Sequence, residues 1–182
     1  MLDVHINQLT DYHEVKQNEQ EVIYNGGSAF FDASRLYFYF YDGRYKRLKD
    51  GVIDISHDKD ENGMYNASLS INSFSSFNRG HSTYYTGKVV YSDMLIRFSF
   101  VNTLNALEED LLYIFNPLEM RDFTEGLLCG ISSSDFMPCA FKCLVTLEPQ
   151  ELNDNLIKKL IFTKQDLLKW QQMNMLIVDN KG

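Results

Sequence analysis

Residues 35–47 read Arg35-Leu36-Tyr37-Phe38-Tyr39-Phe40-Tyr41-Asp42-Gly43-Arg44-Tyr45-Lys46-Arg47. Successive side chains of a β-strand point to opposite faces of its sheet. The leucine and the two phenylalanines therefore share one face, where they can line a core. The tyrosines share the other face, with arginines and a lysine close by in the sequence. Aromatic rings beside basic groups are typical of a surface that binds something flat or anionic.

The same alternation of apolar and polar residues recurs in seven later segments. The breaks between them carry Asn, Asp and Gly, which tolerate the positive φ of tight hairpin turns, so neighbouring strands should run antiparallel. Strands with one apolar and one polar face predict a mainly β protein, an antiparallel barrel or sandwich of about eight strands. The predicted strands are Arg35–Tyr41, Gly51–His57, Met64–Asn72, Thr83–Tyr91, Met94–Val101, Asp110–Asn116, Glu125–Ser132 and Cys139–Glu148.

Three parts of the chain differ in pattern. Residues 1–24 are polar and form a predicted N-terminal segment, and residues 25–148 form the predicted barrel domain. From Pro149 to the end the apolar residues follow helical spacing, which predicts helices packed on the barrel, the first starting at Glu148-Pro149. Thr163 and Asp166 resemble a capping box that opens a second helix. Within the barrel, Gly87 indicates a bulge.

Composition limits the classes of function. The chain has 182 residues, 45% of them hydrophobic, and a formal net charge of −8. That balance argues against binding duplex nucleic acid, which requires many phosphate contacts from Lys and Arg. Three cysteines without a secretory leader favour a reducing cytoplasm. No run of about 18 apolar residues occurs, so a membrane is expected only if the chain is part of a longer protein.

The candidate ligand-binding residues come from the tyrosine-rich strand and from a second aromatic and basic stretch, residues 74–88. Aromatic faces stack on bases, while Arg and Lys bind phosphates. The alternative is purely structural, because Tyr and Phe are favoured in strands and basic residues protect exposed strand edges. The candidates are Arg35, Tyr37, Tyr39, Arg44, Arg47, Arg79, His81, Tyr84 and Lys88.

No catalytic residue, metal site or cofactor is predicted. Residues 58–63 match the first half of a calcium loop, but Leu69 holds the position where the bidentate Glu belongs, so a hairpin tip is favoured. Cys129, Cys139 and Cys143 are expected to be ordinary core residues. The stretch around Ser132 lacks the second glycine of a nucleophile elbow. These patterns predict a protein that is not an enzyme.

The glycine-marked strand rhythm from Tyr24-Asn25-Gly26 through Tyr85-Thr86-Gly87 to Gly126-Leu127-Leu128-Cys129-Gly130-Ile131 and Pro138-Cys139-Ala140 resembles small lipocalin-like β-barrel sensor domains of bacteria. Such domains occur in anti-phage effectors that respond to cyclic nucleotides, and beside helix-turn-helix regulators. The resemblance covers about 120 residues. It implies a barrel that binds a cyclic nucleotide second messenger.

Two main hypotheses follow. The first is a non-enzymatic barrel that binds an anionic nucleotide-type messenger, such as a cyclic oligonucleotide, and signals by forming homo-oligomers in bacterial defence or regulation. The second is an interaction or inhibitor protein, such as a phage or mobile-element factor, that uses its acidic surface and terminal helices to bind another protein. A hydrolase with dispersed carboxylates is a third, since pairing such groups depends on the fold.

Overall fold

A computed structural model describes residues 28–73, 81–117, 120–132 and 136–178. The predicted N-terminal segment and the candidate Arg79 lie outside these residues, as does the side chain of His81. Within the described part of the chain, no helix is both long and apolar enough to cross a membrane.

Eight strands form one closed antiparallel barrel, which confirms the predicted fold class and selects the barrel over the sandwich. Each strand pairs with the next along the chain, and the last pairs with the first, so the barrel has the up-and-down topology. The strands are β1 (Arg35–Asp42), β2 (Arg47–Lys59), β3 (Tyr65–Ser73), β4 (His81–Tyr91), β5 (Leu95–Asn102), β6 (Glu109–Phe115), β7 (Phe123–Ile131) and β8 (Pro138–Thr146).

The interior of the barrel is filled by one side chain of every two along each strand. On β1, Leu36 and Phe38 are fully buried, and the alternation continues with Phe98 and Phe100 of β5, whose rings stack with centroids 5.6 Å apart. An eight-stranded barrel is just wide enough for side chains to fill. The other interior residues are Phe40, Ile53, Ile55, Ala67, Leu69, Ile71, Tyr85, Val89, Tyr91, Ile96, Leu112, Ile114, Leu128, Cys143 and Val145.

The predicted bulge at Gly87 is wrong. Gly87 pairs in regular register with Ala67 on one side and Phe100 on the other. A Cβ there would lie 1.9 Å from the carbonyl oxygen of Ser99, so the glycine lets two strand backbones approach closely. The register shift occurs instead in β2, between Ile55 and Lys59.

A short helix closes one end of the barrel, an element that the sequence pattern does not predict. This helix, α1 (Ala29–Asp32), begins at Ser28, whose side chain accepts a hydrogen bond from the Phe30 backbone N–H. Phe30 is 1% exposed. The next ring, Phe31, contacts Tyr65 and Tyr91 edge to face, with centroids 6.2 and 4.9 Å away. This end of the barrel is therefore sealed by packed aromatic rings.

Two helices follow the barrel, α2 (Asp154–Leu160) and α3 (Lys164–Met173). The first begins later than predicted, because Asn153 caps it by accepting hydrogen bonds from the backbone N–H groups of Asn155 and Leu156. The predicted capping box of Thr163 and Asp166 is present at the start of α3. Leu156 and Leu160 of α2 pack on the outer face of β1 and β8.

Candidate functional site

The end of the barrel opposite α1 is open and holds a cavity of about 290 Å³. This volume is close to the lower limit of small-molecule sites, roughly 300 Å³. Its walls come from the ends of seven strands, all except β5, and from adjoining loops, so the closed fold itself positions them. The lining residues are Phe40, Asp42, Arg44, Tyr45, Arg47, Lys49, Ile71, Thr83, Tyr85, Glu108, Asp110, Leu128, Ile131, Ser132 and Phe141.

Three cationic side chains on one wall come from β2 and the hairpin that leads into it, namely Arg44, Arg47 and Lys49. The carboxylate of Asp42 shapes the hairpin by accepting hydrogen bonds from the backbone N–H groups of Arg44 and Tyr45, at 3.1 and 3.4 Å. Burial chiefly, and then the charge of Arg47, lower the pKa of Lys49. An anion beside such a group favours its charged form.

The opposite wall carries carboxylates. Glu108 is 6% exposed, and its two oxygens accept hydrogen bonds from the Tyr85 hydroxyl at 2.6 Å and the Asn102 side-chain amide at 2.7 Å. Burial, and then the hydrogen bond to Glu108, raise the pKa of Tyr85, which therefore donates as a neutral phenol. These bonds hold the Glu108 carboxylate in one orientation at the cavity wall.

Asp110 is the second carboxylate of this wall and is also 6% exposed. Burial chiefly, and then the charge of Glu108, raise its pKa to about 7. It lies over Gly130 of β7, where a Cβ would be 1.7 Å from its Oδ1 atom. The missing side chain at residue 130 thus makes the space in which Asp110 sits.

Aromatic rings complete the cavity. Phe40 and Phe141 lie with ring centroids 5.0 Å apart, and the Arg44 guanidinium is 5.3 Å from the centroid of Tyr45. The cavity therefore offers flat apolar faces, a cationic wall and an anionic wall. Such a lining can bind a small polar ligand that carries a planar group.

Of the nine candidate residues from the sequence, the structure places Arg44 and Arg47 in this cavity. Arg35 lies on the outer surface, where its Nε donates to Asp54 at 2.6 Å. The Lys88 ammonium is also outside and lies 2.6 Å from the carboxylate of Asp60. Tyr84 is 59% exposed.

The tyrosine face of β1 lies outside the barrel, under α2. Tyr39 is 3% exposed and packs against Leu156 and Leu160, and Tyr37 packs partly buried beside it. The hydroxyl oxygen of Tyr39 accepts a hydrogen bond from the backbone N–H of Gln150 at 2.8 Å. The alternation of β1 therefore predicts its two faces correctly, but the tyrosine face contacts a helix of the same chain and not the cavity.

Sequence reasoning missed Lys49, Tyr85, Glu108 and Asp110. A signal for them exists in the strand register: Lys49 pairs with Phe40, so both side chains lie on the inner face. Asp110 is likewise in phase with the buried Leu112 of the same strand. Each is a charged residue at a position where the alternation predicts an apolar one, and such a mismatch is a signal of a polar site inside the barrel.

The remaining sequence motifs lie in ordinary structural positions. Residues 58–63 lead into a hairpin tip in which Asp60 Oδ1 accepts hydrogen bonds from the N–H groups of Asn62 and Met64, both at 2.9 Å. Cys143 is buried in the core, while Cys129 and Cys139 are half-buried. In the described ranges, His, Cys, Asp and Glu side chains form no group of three or more that could hold a metal ion.

No protein-family model, curated protein or solved structure matches this chain.

Proposed function

We propose that the protein is a non-enzymatic binding module that takes a small anionic ligand of nucleotide type into the open end of its barrel. The observation that carries the proposal is the cluster of Arg44, Arg47 and Lys49 on one wall of a cavity that also contains aromatic rings. Arg and Lys bind phosphate through charge-assisted hydrogen bonds, and rings stack on a planar base. Both features are in one cavity closed at its far end.

The volume of the cavity limits how much of a ligand can enter. About 290 Å³ suits one nucleotide unit, since drug-sized ligands occupy sites of roughly 300 to 1,000 Å³. A cyclic oligonucleotide, the ligand expected from the sequence, would insert one of its units and leave the others at the rim. In a bacterial defence or regulatory system, such binding in the cytoplasm would signal through self-association.

The test is calorimetry with mononucleotides and with cyclic di-, tri- and tetranucleotides. Arg47→Ala should weaken binding of the best ligand at least about tenfold, because a charge-assisted contact is lost. Arg35→Ala is the matched control: it removes an arginine of the same barrel that pairs with Asp54 outside the cavity, and affinity should not change. Absence of heat with every ligand, or equal loss in both variants, would contradict the proposal.

A second candidate function is association with a protein through α3. Leu167 and Leu168 of this helix are 54% and 61% exposed, and Met173 at its end is 46% exposed. Exposed apolar side chains on a helix can mark an interaction surface. This surface is the part of the molecule that favours the alternative of an interaction protein, and it also suits the self-association proposed above.

Sedimentation velocity tests this surface. If α3 mediates self-association, the double variant Leu167→Glu, Leu168→Glu should be monomeric at concentrations where the native chain is not. The variant Gln171→Glu, Gln172→Glu introduces the same charges at exposed polar positions of the same helix and should behave as the native chain. A native chain that is monomeric throughout removes self-association from the proposal.

A further inference from the structure

We propose that the cavity selects a ligand with two polar ends: an anionic group at Arg44, Arg47 and Lys49, and a pair of N–H donors at Glu108 and Asp110. The inference rests on the proposed function, because it concerns the same cavity. Among nucleotides it points to guanine, the base whose Watson–Crick edge carries two adjacent N–H donors, the ring N1–H and the exocyclic amino group.

The topology sets the two ends apart. Arg47 and Lys49 belong to β2, and Asp110 belongs to β6. In a barrel of eight strands in sequential order, β2 and β6 are four strands apart in either direction and therefore face each other. The two charged walls thus lie on opposite sides of the cavity, so a ligand must be long enough to reach between them.

The carboxylates repel a phosphate group, but they can accept hydrogen bonds from N–H donors. An ionised carboxylate has only acceptor oxygens, about four lone-pair sites in all. Glu108 already accepts two bonds, from Tyr85 and Asn102, which fix its orientation and leave further acceptor capacity. Adenine and cytosine present one amino group beside a ring acceptor, and that acceptor would face a carboxylate unfavourably.

Asp110 is a second feature of the cavity that points to a ligand with N–H donors. Asp110 lines the cavity and is 6% exposed, yet its carboxyl group makes no hydrogen bond with any of the described residues. Its oxygens are not among the fully buried atoms that lack a partner, because they face the open cavity, where water or a ligand can donate to them. The Asp110 side chain occupies the space that a side chain at residue 130 would fill. A donor from a ligand is the partner that this arrangement lacks.

The experiment compares GMP, IMP, AMP and ribose 5-phosphate by calorimetry on the native chain. GMP should bind about five- to a hundredfold more tightly than AMP, because that is the range by which a bidentate pair of hydrogen bonds discriminates between bases. IMP, which keeps N1–H but lacks the amino group, should fall between them. Asp110→Asn should reduce the preference for GMP, whereas Glu109→Gln, an exposed neighbour on the same strand, should leave it unchanged.

Proton release on binding provides a second measurement. Donors from the base favour the ionised form of Asp110, so GMP should release more protons near pH 7 than ribose 5-phosphate, which carries the same phosphate without the base; the dependence of the binding heat on the buffer measures this difference. Equal affinity for GMP, AMP and ribose 5-phosphate, or equal proton release by GMP and ribose 5-phosphate, would overturn this inference while leaving the anionic site intact. Absence of binding by all four compounds would overturn the site of phosphate binding as well.

Discussion

The two ends of the barrel are built from the same strands but differ in chemistry. At the closed end, Phe30 and Phe31 of α1 pack with Tyr65 and Tyr91, and the rings meet edge to face. At the open end, inner-face positions hold carboxylates, a lysine and an arginine, and a cavity remains. The strand alternation reaches both ends, with one register shift in β2 at the closed end, so the architecture alone does not demand charge inside.

The difference indicates that the residues at the open end lower the stability of the fold. Apolar burial is the main favourable term in folding, whereas a buried carboxyl group costs free energy unless it is paired. Asp110, with a pKa raised to about 7 mainly by burial, is such a cost. Ionisable groups with shifted pKa values cluster at functional sites. The open end therefore has the properties of a site, and the closed end those of a core.

The largest expected effect is at the closed end. Phe30→Ala should lower the free energy of unfolding by about 3 to 5 kcal/mol, because it empties a fully buried ring position. Denaturant unfolding measures the change. The control is Leu104→Ala at the open end, where the side chain is 94% exposed and the change should stay within about 0.5 kcal/mol. A loss of less than about 1 kcal/mol in Phe30→Ala would show that the buried ring of α1 contributes little to closing the barrel.

The next effect depends on pH and concerns Asp110. The folded chain keeps the Asp110 proton up to about pH 7, whereas the unfolded chain releases it near pH 4. Between these values the folded state binds more protons, so this group makes stability fall as pH rises, by at most about 1.4 kcal/mol per pH unit. Below about pH 4 its contribution vanishes, and above about pH 7 the full cost is present.

Asp110→Asn should therefore stabilise the protein by about 1 to 3 kcal/mol at pH 8 and change little at pH 4, as measured by denaturant unfolding. Glu108 and Tyr85 face Asp110 from its own wall, and Arg44, Arg47 and Lys49 line the opposite one, so all of these remain in the variant. Glu109→Gln changes the same charge on the outer face and should not alter the slope. An unchanged slope in Asp110→Asn would contradict the assignment.

The fold was predictable from the sequence because its signal is local. Alternation of period two, broken by Asn, Asp and Gly, located all eight strands, and the capping box located the start of α3. The late start of α2 was not foreseen, since Pro149 suits a helix start equally well and only the structure shows Asn153 as the cap. The short α1 has too few residues to show a periodic pattern.

The site was less predictable because it depends on contacts between distant strands. Arg44 and Arg47, which flank a recognisable hairpin, are the predicted ligand-binding residues that line the cavity. For the tyrosines of β1, the sequence shows that they share a face but not what covers that face. Leu156, more than a hundred residues later, covers it. The pairing of Tyr85 with Glu108 likewise requires the closed barrel.

The smallest expected effects compare one hydroxyl on each side of the barrel wall. Tyr39→Phe removes the acceptor of the Gln150 backbone N–H and should cost about 1 kcal/mol of unfolding free energy. Because Tyr39 lies outside the barrel, the affinity for GMP should not change. Tyr85→Phe removes the same atom inside the cavity and releases Glu108 from one of its two hydrogen bonds, so the affinity for GMP should fall. Calorimetry measures the affinity of both variants, and denaturant unfolding measures their stability. If Tyr39→Phe lost as much affinity for GMP as Tyr85→Phe, the tyrosine face of β1 would be part of the binding site.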